Sequence, residues 1–316
     1  MSKFLWINRK RINSEIRDVS RRCKDKKMEN LEKMITVRIM QEDAESIFSL
    51  MKTERDPVFA MEIIPYYALF IQSCQEYVGE IFIEGTSAEK VKDIRNFIKV
   101  YGESFGKSKK RIELVDIEQD EQYRAQLRFD FMKSWNIHLN LGTYWTEDYH
   151  VVGNTQMLAD FLGIDDIFNP KTGKLQFELG RQMGAFVASI KEGFSQAIDP
   201  PEVKRLHTGV SIDYFYDLNT NKNDELFVDN SSKVLNLFFL DLVCNMNFVK
   251  HILRPLFDDS NMWVFRVEYI VTYYTYRAIQ RLKNYCDNNI DLCIDLGGFT
   301  EMFSSAKNLF QSKFRN

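Results

Sequence analysis

NMWVFRVEYIVTYYTYRAIQRLKNY, residues 261–285, is the stretch of the chain that decides the fold class. Its pattern predicts a long helix over 262–285 that begins directly after Asn261. Residues three and four positions apart share a helix face. Steps of four, three, four and four therefore place one set of side chains in a single strip, namely Arg266, Ile270, Tyr273, Arg277 and Arg281.

Helical patterns continue outward from this stretch towards the N-terminus. Ser231 and Ser232 can cap an apolar helix that ends near His251, and Asn154 is placed to cap a shorter one. Apolar residues at helical spacing predict further helices, and the pattern is again helical from Asp120 onward. The predicted helices cover residues 8–33, 65–77, 86–102, 154–162, 177–194 and 231–251.

Two short segments in the first half have strand character. Residues 80–84 are followed by Gly85, and residues 111–117 alternate in polarity. A strand, a helix and a strand in this order match the length of a βαβ unit. We therefore predict a mainly α fold, with a small α/β (βαβ) element in the first half and an all-helical second half.

The same pattern divides the chain into three parts. We predict a basic helical arm over residues 1–33, a mixed α/β domain over 34–148 and an α-helical domain over 149–316. The second boundary falls in a connecting stretch that contains two glycines, which are frequent in loops between periodic segments.

Composition excludes several classes of protein. The 316 residues are 45% hydrophobic and 28% charged, so the chain has enough apolar surface to fold. Five cysteines, an odd number without a CxxC pair, argue against a disulfide framework and a zinc site. No 18-residue window is continuously apolar, so the sequence predicts no membrane span. We therefore expect a cytoplasmic protein without a membrane partner.

Charge is distributed unevenly along the chain. Residues 1–33 contain eleven Lys or Arg and five Asp or Glu, whereas the rest has a net charge of −9. Such a basic arm can contact phosphate, or it can dock on the acidic body of its own chain. The leading hypothesis is an intracellular helical nucleic-acid-associated binding or scaffold protein that needs no cofactor. Its predicted contacts are Arg9, Lys10, Arg11, Arg21, Arg22, Arg266, Tyr273, Arg277 and Arg281.

Acidic residues at the predicted strand ends support an alternative. In a parallel βαβ unit the carboxyl ends of adjacent strands lie side by side, where carboxylates can hold Mg²⁺ for phosphoryl transfer. The set consists of Glu84, Asp116, Glu118 and Asp120. It loosely resembles the toprim arrangement, in which one strand ends in Glu-Gly and a later one in Asp-x-Asp. The resemblance implies a Mg-dependent nuclease or a related phosphoryl-transfer enzyme.

The chain contains none of the compact catalytic motifs that sequence alone can reveal. We find no glycine-rich phosphate loop, G-x-S-x-G elbow, H-E-x-x-H pair or kinase signature. The balance therefore favours a binding role over an enzyme. A third interpretation is a protein-interaction module or homo-oligomer that binds no nucleic acid and buries its aromatic residues between subunits.

Overall fold

The computed structural model describes residues 29–53, 56–78, 86–100, 102–126, 141–162, 170–193, 200–204, 214–218 and 233–288. These residues form a mainly α structure, as the sequence predicts. The first half contains the helices α1 (Glu29–Thr53), α2 (Pro57–Glu62), α3 (Ile64–Val78), α4 (Thr86–Val100) and α5 (Phe105–Gln126). The second half contains α6 (Thr155–Leu162), α7 (Pro170–Glu192), α8 (Lys233–Asn247) and α9 (Met262–Asn288). A π-helix (Phe248–Leu253) and a 3₁₀ turn (Arg254–Leu256) connect α8 to α9.

Two asparagines mark helix starts where the sequence predicts them. The Oδ1 atom of Asn154 accepts a hydrogen bond from the backbone N–H of Met157 at 2.9 Å. The Oδ1 atom of Asn261 accepts one from the backbone N–H of Val264 at 3.0 Å. Each bond satisfies a backbone donor that the first helical turn leaves without a partner.

The core lies where helices from both halves meet. Helix α1 packs along α7, α3 packs against α4, and α9 contacts α1, α4, α5 and α8. The largest fully buried aromatic side chains belong to one hydrophobic cluster: Tyr66, Phe97, Phe161, Phe186, Phe238 and Phe248. The predicted division into domains at residue 149 stays a prediction, although described residues on both sides of it share this cluster.

The strand predicted over 111–117 is wrong, because these residues belong to α5. Ile112 and Val115 are buried, whereas Leu114 and Ile117 are each 55% exposed. A spacing of three between the buried residues fits a helix, and the apparent alternation came from the two exposed apolar side chains. The other predicted strand, 80–84, lies outside the described residues.

The sheet that the structure contains is antiparallel and has strand order β2–β1–β3. It is formed by β1 (Leu141–Trp145), β2 (Val151–Asn154) and β3 (Tyr214–Leu218), with a register shift between Tyr144 and Trp145. The described residues therefore form no βαβ unit, and the second half is not all-helical because it contributes β2 and β3. The hairpin β1–β2 falls in the predicted connecting stretch, where Gly142, Gly153 and the polar residues 146–148 are typical of a loop.

Only residues 29–33 of the predicted basic arm are described, and they form the first turns of α1. In the part of the chain that the structure describes, no helix is long and apolar enough to cross a membrane.

Candidate nucleic-acid interface

Arg266 lies near the start of α9 and is already paired inside the molecule. Its Nε atom donates a hydrogen bond to Oδ2 of Asp43 on α1 at 3.2 Å, and its Nη2 atom donates to Oδ1. Burial raises the pKa of Asp43 to about 6, and the guanidinium of Arg266 opposes that rise. The pairing distinguishes Arg266 from the other arginines of the predicted strip.

Further along α9, Arg277 lies against the C-terminal end of α4. Gly102, two residues after α4, is buried in this contact. A Cβ atom on Gly102 would lie 2.6 Å from Cδ1 of Tyr274 and 3.4 Å from Cβ of Arg277. Glycine is needed here because a larger residue would separate α4 from α9. The contact brings the last turns of α4 beside the arginines of α9.

The end of α4 contributes two cations to this junction. Arg95 forms an ion pair with Glu76 at 2.9 Å, and its side chain is only 15% exposed. Burial lowers the pKa of Lys99 and the positive charge of Arg95 lowers it further, whereas the carboxylates of Glu76 and Glu103 oppose that shift. Tyr274 of α9 lies within electrostatic range of both Arg95 and Arg277. Cations of α4 and α9 therefore share one region of the surface.

The positive charge of this region is only partly balanced. Glu103, the nearby acid on the α4–α5 connection, forms an ion pair with Lys107 at 2.7 Å. Among the described residues, no carboxylate forms an ion pair with Lys99, Arg277 or Arg281, and the Nε atom of Arg281 is buried without a hydrogen-bond partner. Arg281 follows Arg277 by one helical turn. We call this group the cation cluster: Arg95, Lys99, Arg277 and Arg281.

An aromatic strip runs along α9 beside the cation cluster. Phe265 is 57% exposed, and the rings of Tyr269 and Tyr273 stack with centroids 6.5 Å apart and an interplanar angle of 17°. Tyr276 continues the strip by helical spacing and is half-buried. Aromatic faces beside cations are the combination that single-stranded nucleic-acid binders use for bases and phosphates.

The predicted carboxylate set does not converge among the described residues. Asp116, Glu118 and Asp120 lie on α5, where residues two apart point in directions about 200° apart. Asp116 instead accepts a hydrogen bond from Nζ of Lys233 at 2.6 Å. Glu84 lies outside the described residues. In the described ranges no three His, Cys, Asp or Glu side chains are grouped so that they could hold a metal ion.

A second group of polar side chains is buried in the core. Asn154 donates a hydrogen bond to Oδ1 of Asp241 at 2.8 Å. Glu62 is 4% exposed, and its Oε1 atom has no hydrogen-bond partner among the described residues. Burial raises the pKa of Glu62 well above its usual range, and the charge of Asp241 raises it further. These acids affect stability and are too deeply buried to contact a macromolecule.

Two members of the cation cluster, Arg277 and Arg281, are predicted from the sequence, and two, Arg95 and Lys99, are not. Arg95 and Lys99 are four residues apart on a helix that was predicted from its apolar face, and their basic side chains were not considered. The spacing of four between Arg95 and Lys99 places both side chains on one face of α4, and this is visible in the sequence alone. The predicted contacts in the arm, which are Arg9, Lys10, Arg11, Arg21 and Arg22, lie outside the described residues.

Comparison of the chain with protein-family models, with curated proteins and with solved structures finds no match in any of the three.

Proposed function

We propose that this protein is a helical nucleic-acid-associated binding or scaffold protein, located in the cytoplasm, that contacts phosphates through the cation cluster. The observation that carries the proposal is the contact at Gly102, which brings Arg95 and Lys99 of α4 beside Arg277 of α9. Guanidinium groups bind phosphate oxygens through charge-assisted hydrogen bonds. Bringing like charges together costs free energy, and a bound polyanion offsets that cost.

The aromatic strip supports the same proposal. Its rings lie beside the cations, so a single strand could place phosphates on Arg277 and Arg281 and bases on Tyr273 and Tyr276. Base–aromatic stacking contributes about 1–3 kcal/mol per base and tolerates any sequence. We therefore propose sequence-tolerant binding of single strands. Arg266 has no part in this interface because Asp43 neutralises it.

The test is the salt dependence of binding, measured by fluorescence anisotropy with a labelled single-stranded oligonucleotide. Each phosphate contact contributes about 0.7 to the slope of log K against log salt for a single strand. The triple variant Lys99→Ala/Arg277→Ala/Arg281→Ala should lower that slope by about 2. It should also weaken binding at least tenfold at low salt.

A matched control removes three positive charges elsewhere. Lys52, Lys110 and Lys250 are exposed and lie outside the cation cluster. The triple variant Lys52→Ala/Lys110→Ala/Lys250→Ala should retain most of the affinity and the slope. Equal losses in both variants would mean that only net charge matters. No binding by the wild-type protein at low salt would reject the proposal in favour of the protein-interaction hypothesis.

A scaffold role in a nucleoprotein complex has its own measurement. Light scattering on freshly purified protein, before and after nuclease treatment, should give a larger mass before treatment. A mass that is high and unaffected by nuclease would indicate a homo-oligomer.

A further inference from the structure

A cavity of about 310 Å³ lies between α1, α3 and α9, and none of the residues that line it belongs to the cation cluster. Its walls are mostly apolar and include Leu69, Phe70, Val267 and Ile270. It opens to solvent beside Ser73, which is exposed and lines the cavity. A concave apolar site with a few polar groups is the usual form of a small-molecule binding site.

Two aromatic walls of this cavity are fixed by their neighbours. The ring of Trp263 contacts that of Phe257 edge to face, with centroids 5.9 Å apart. The ring of Tyr66 is stacked on that of Phe248, with centroids 5.9 Å apart and an interplanar angle of 2°. These ring contacts hold both walls in place. A preformed site needs little ordering free energy when it binds.

The polar end of the cavity is the ion pair between Asp43 and Arg266, both of which line it. Asp43 accepts hydrogen bonds from Nε and Nη2 of Arg266, so the guanidinium is held in one orientation. A guanidinium has five N–H donors, and no described residue accepts a hydrogen bond from Nη1. The remaining donors can bind an oxygen atom of a ligand without breaking the ion pair.

The charge of the site indicates the head group of that ligand. The carboxylate of Asp43 and the guanidinium of Arg266 cancel, so a second ion in this apolar cavity would have no counter-charge. Burying an unpaired ion costs far more than burying a hydrogen-bonded neutral group. Burial also raises the pKa of the Cys74 thiol, which keeps this part of the wall uncharged.

We infer that this cavity binds an uncharged small molecule with an apolar chain or ring and one oxygen acceptor, such as an alcohol, ester or amide. The apolar part lies against Leu69, Phe70 and Trp263, and the oxygen accepts a hydrogen bond from Nη1 of Arg266. The inference is independent of nucleic-acid binding, because none of these residues belongs to the cation cluster.

The test compares three eight-carbon probes by isothermal titration calorimetry on the full chain at pH 7.5. The probes are 1-octanol, octanoate and octylammonium, which share a chain and differ in the charge of the head group. We expect 1-octanol to bind at least tenfold more tightly than either ion. Binding of an ion as tight as that of 1-octanol would overturn the inference, and so would the lack of any 1-octanol binding at millimolar concentration.

Two variants locate the binding. Ser73→Phe fills the mouth of the cavity and should weaken 1-octanol binding at least tenfold, whereas Ala60→Phe, at an exposed position on α2 outside the cavity, should leave it unchanged. The double variant Asp43→Leu/Arg266→Met replaces the ion pair with apolar groups, a change that folded proteins often tolerate. It should weaken 1-octanol binding roughly tenfold because a charged hydrogen-bond donor is lost. Unchanged affinity in Ser73→Phe would overturn the inference.

Discussion

Two glycines illustrate how the same residue type has opposite roles at different positions. A Cβ atom on Gly153 would lie 1.9 Å from Oε1 of Glu62, whereas one on Gly180 would meet nothing within 4 Å. Gly180→Ala should raise the free energy of unfolding by about 0.5–1 kcal/mol, since alanine costs less conformational entropy in a helix. Gly153→Ala should lower it by about 1–3 kcal/mol through overpacking. Urea denaturation measures both, and a gain in stability for Gly153→Ala would contradict the close contact between Gly153 and Glu62.

Glu62 gives a prediction about pH. Its pKa in the folded protein is raised, chiefly by burial and then by the charge of Asp241, whereas in the unfolded chain it is near the ordinary 4.5. The folded state therefore binds the proton more tightly, and stability is lost as pH rises above 4.5 towards the folded pKa. Glu62→Gln cannot ionise and should be more stable than the wild type at pH 8, by more than about 1 kcal/mol.

The control for Glu62→Gln is the same comparison at acid pH. At pH 4.5 the wild-type side chain is neutral in the folded state and about half neutral in the unfolded state, so the advantage of the variant should be much smaller than at pH 8. Asp43, whose pKa burial raises to about 6, titrates in both proteins, and its effect cancels in the difference. An advantage that does not change between pH 4.5 and pH 8 would mean that shape, and not charge, distinguishes the two side chains.

At the scale of elements, the start of α9 depends on Asn261. Its Oδ1 atom caps the helix, and its Nδ2 atom donates a hydrogen bond to Oγ of Ser46 on α1 at 3.0 Å. Asn261→Ala should lower the free energy of unfolding by about 1–2 kcal/mol, because a helix donor loses its partner. Asn261→Ser keeps the cap and should cost less. Asn284→Ala, at an exposed position on the same helix, is the control, and an equal loss there would mean that the cap contributes nothing.

The elements also differ in how well sequence predicts them. Long helices such as α9 were predicted because their apolar periodicity persists over several turns. Residues 111–117 were misassigned because a seven-residue window fits both a strand and one face of α5. The hairpin β1–β2 was missed because its burial depends on α8 packing against β2, a contact that no local pattern encodes. For the site, the spacing of Arg277 and Arg281 is local, so the sequence predicts that both lie on one face of α9.

That Arg95 and Lys99 of α4 lie beside the arginines of α9 is known only from the tertiary structure. Nothing near Gly102 in the sequence indicates that Tyr274 lies against it, so the meeting of α4 and α9 could not be predicted. The pairing of Arg266 with Asp43 is likewise a contact between residues more than two hundred positions apart. For a helical protein, sequence thus predicts which side chains share a face and leaves open which face meets which.

For the whole molecule, the shared hydrophobic cluster predicts how the chain unfolds. Described side chains from both sides of residue 149 are packed into one core, so we expect both parts to lose their packing together. Trp145 on β1 and Trp263 on α9 lie on opposite sides of that residue. One variant retains only Trp145 and another retains only Trp263, with the other tryptophans changed to Phe. Both should give the same urea midpoint by fluorescence. That midpoint should equal the one measured by far-UV circular dichroism. A lower midpoint for one tryptophan would instead favour separate domains, as the predicted boundary at 149 implies.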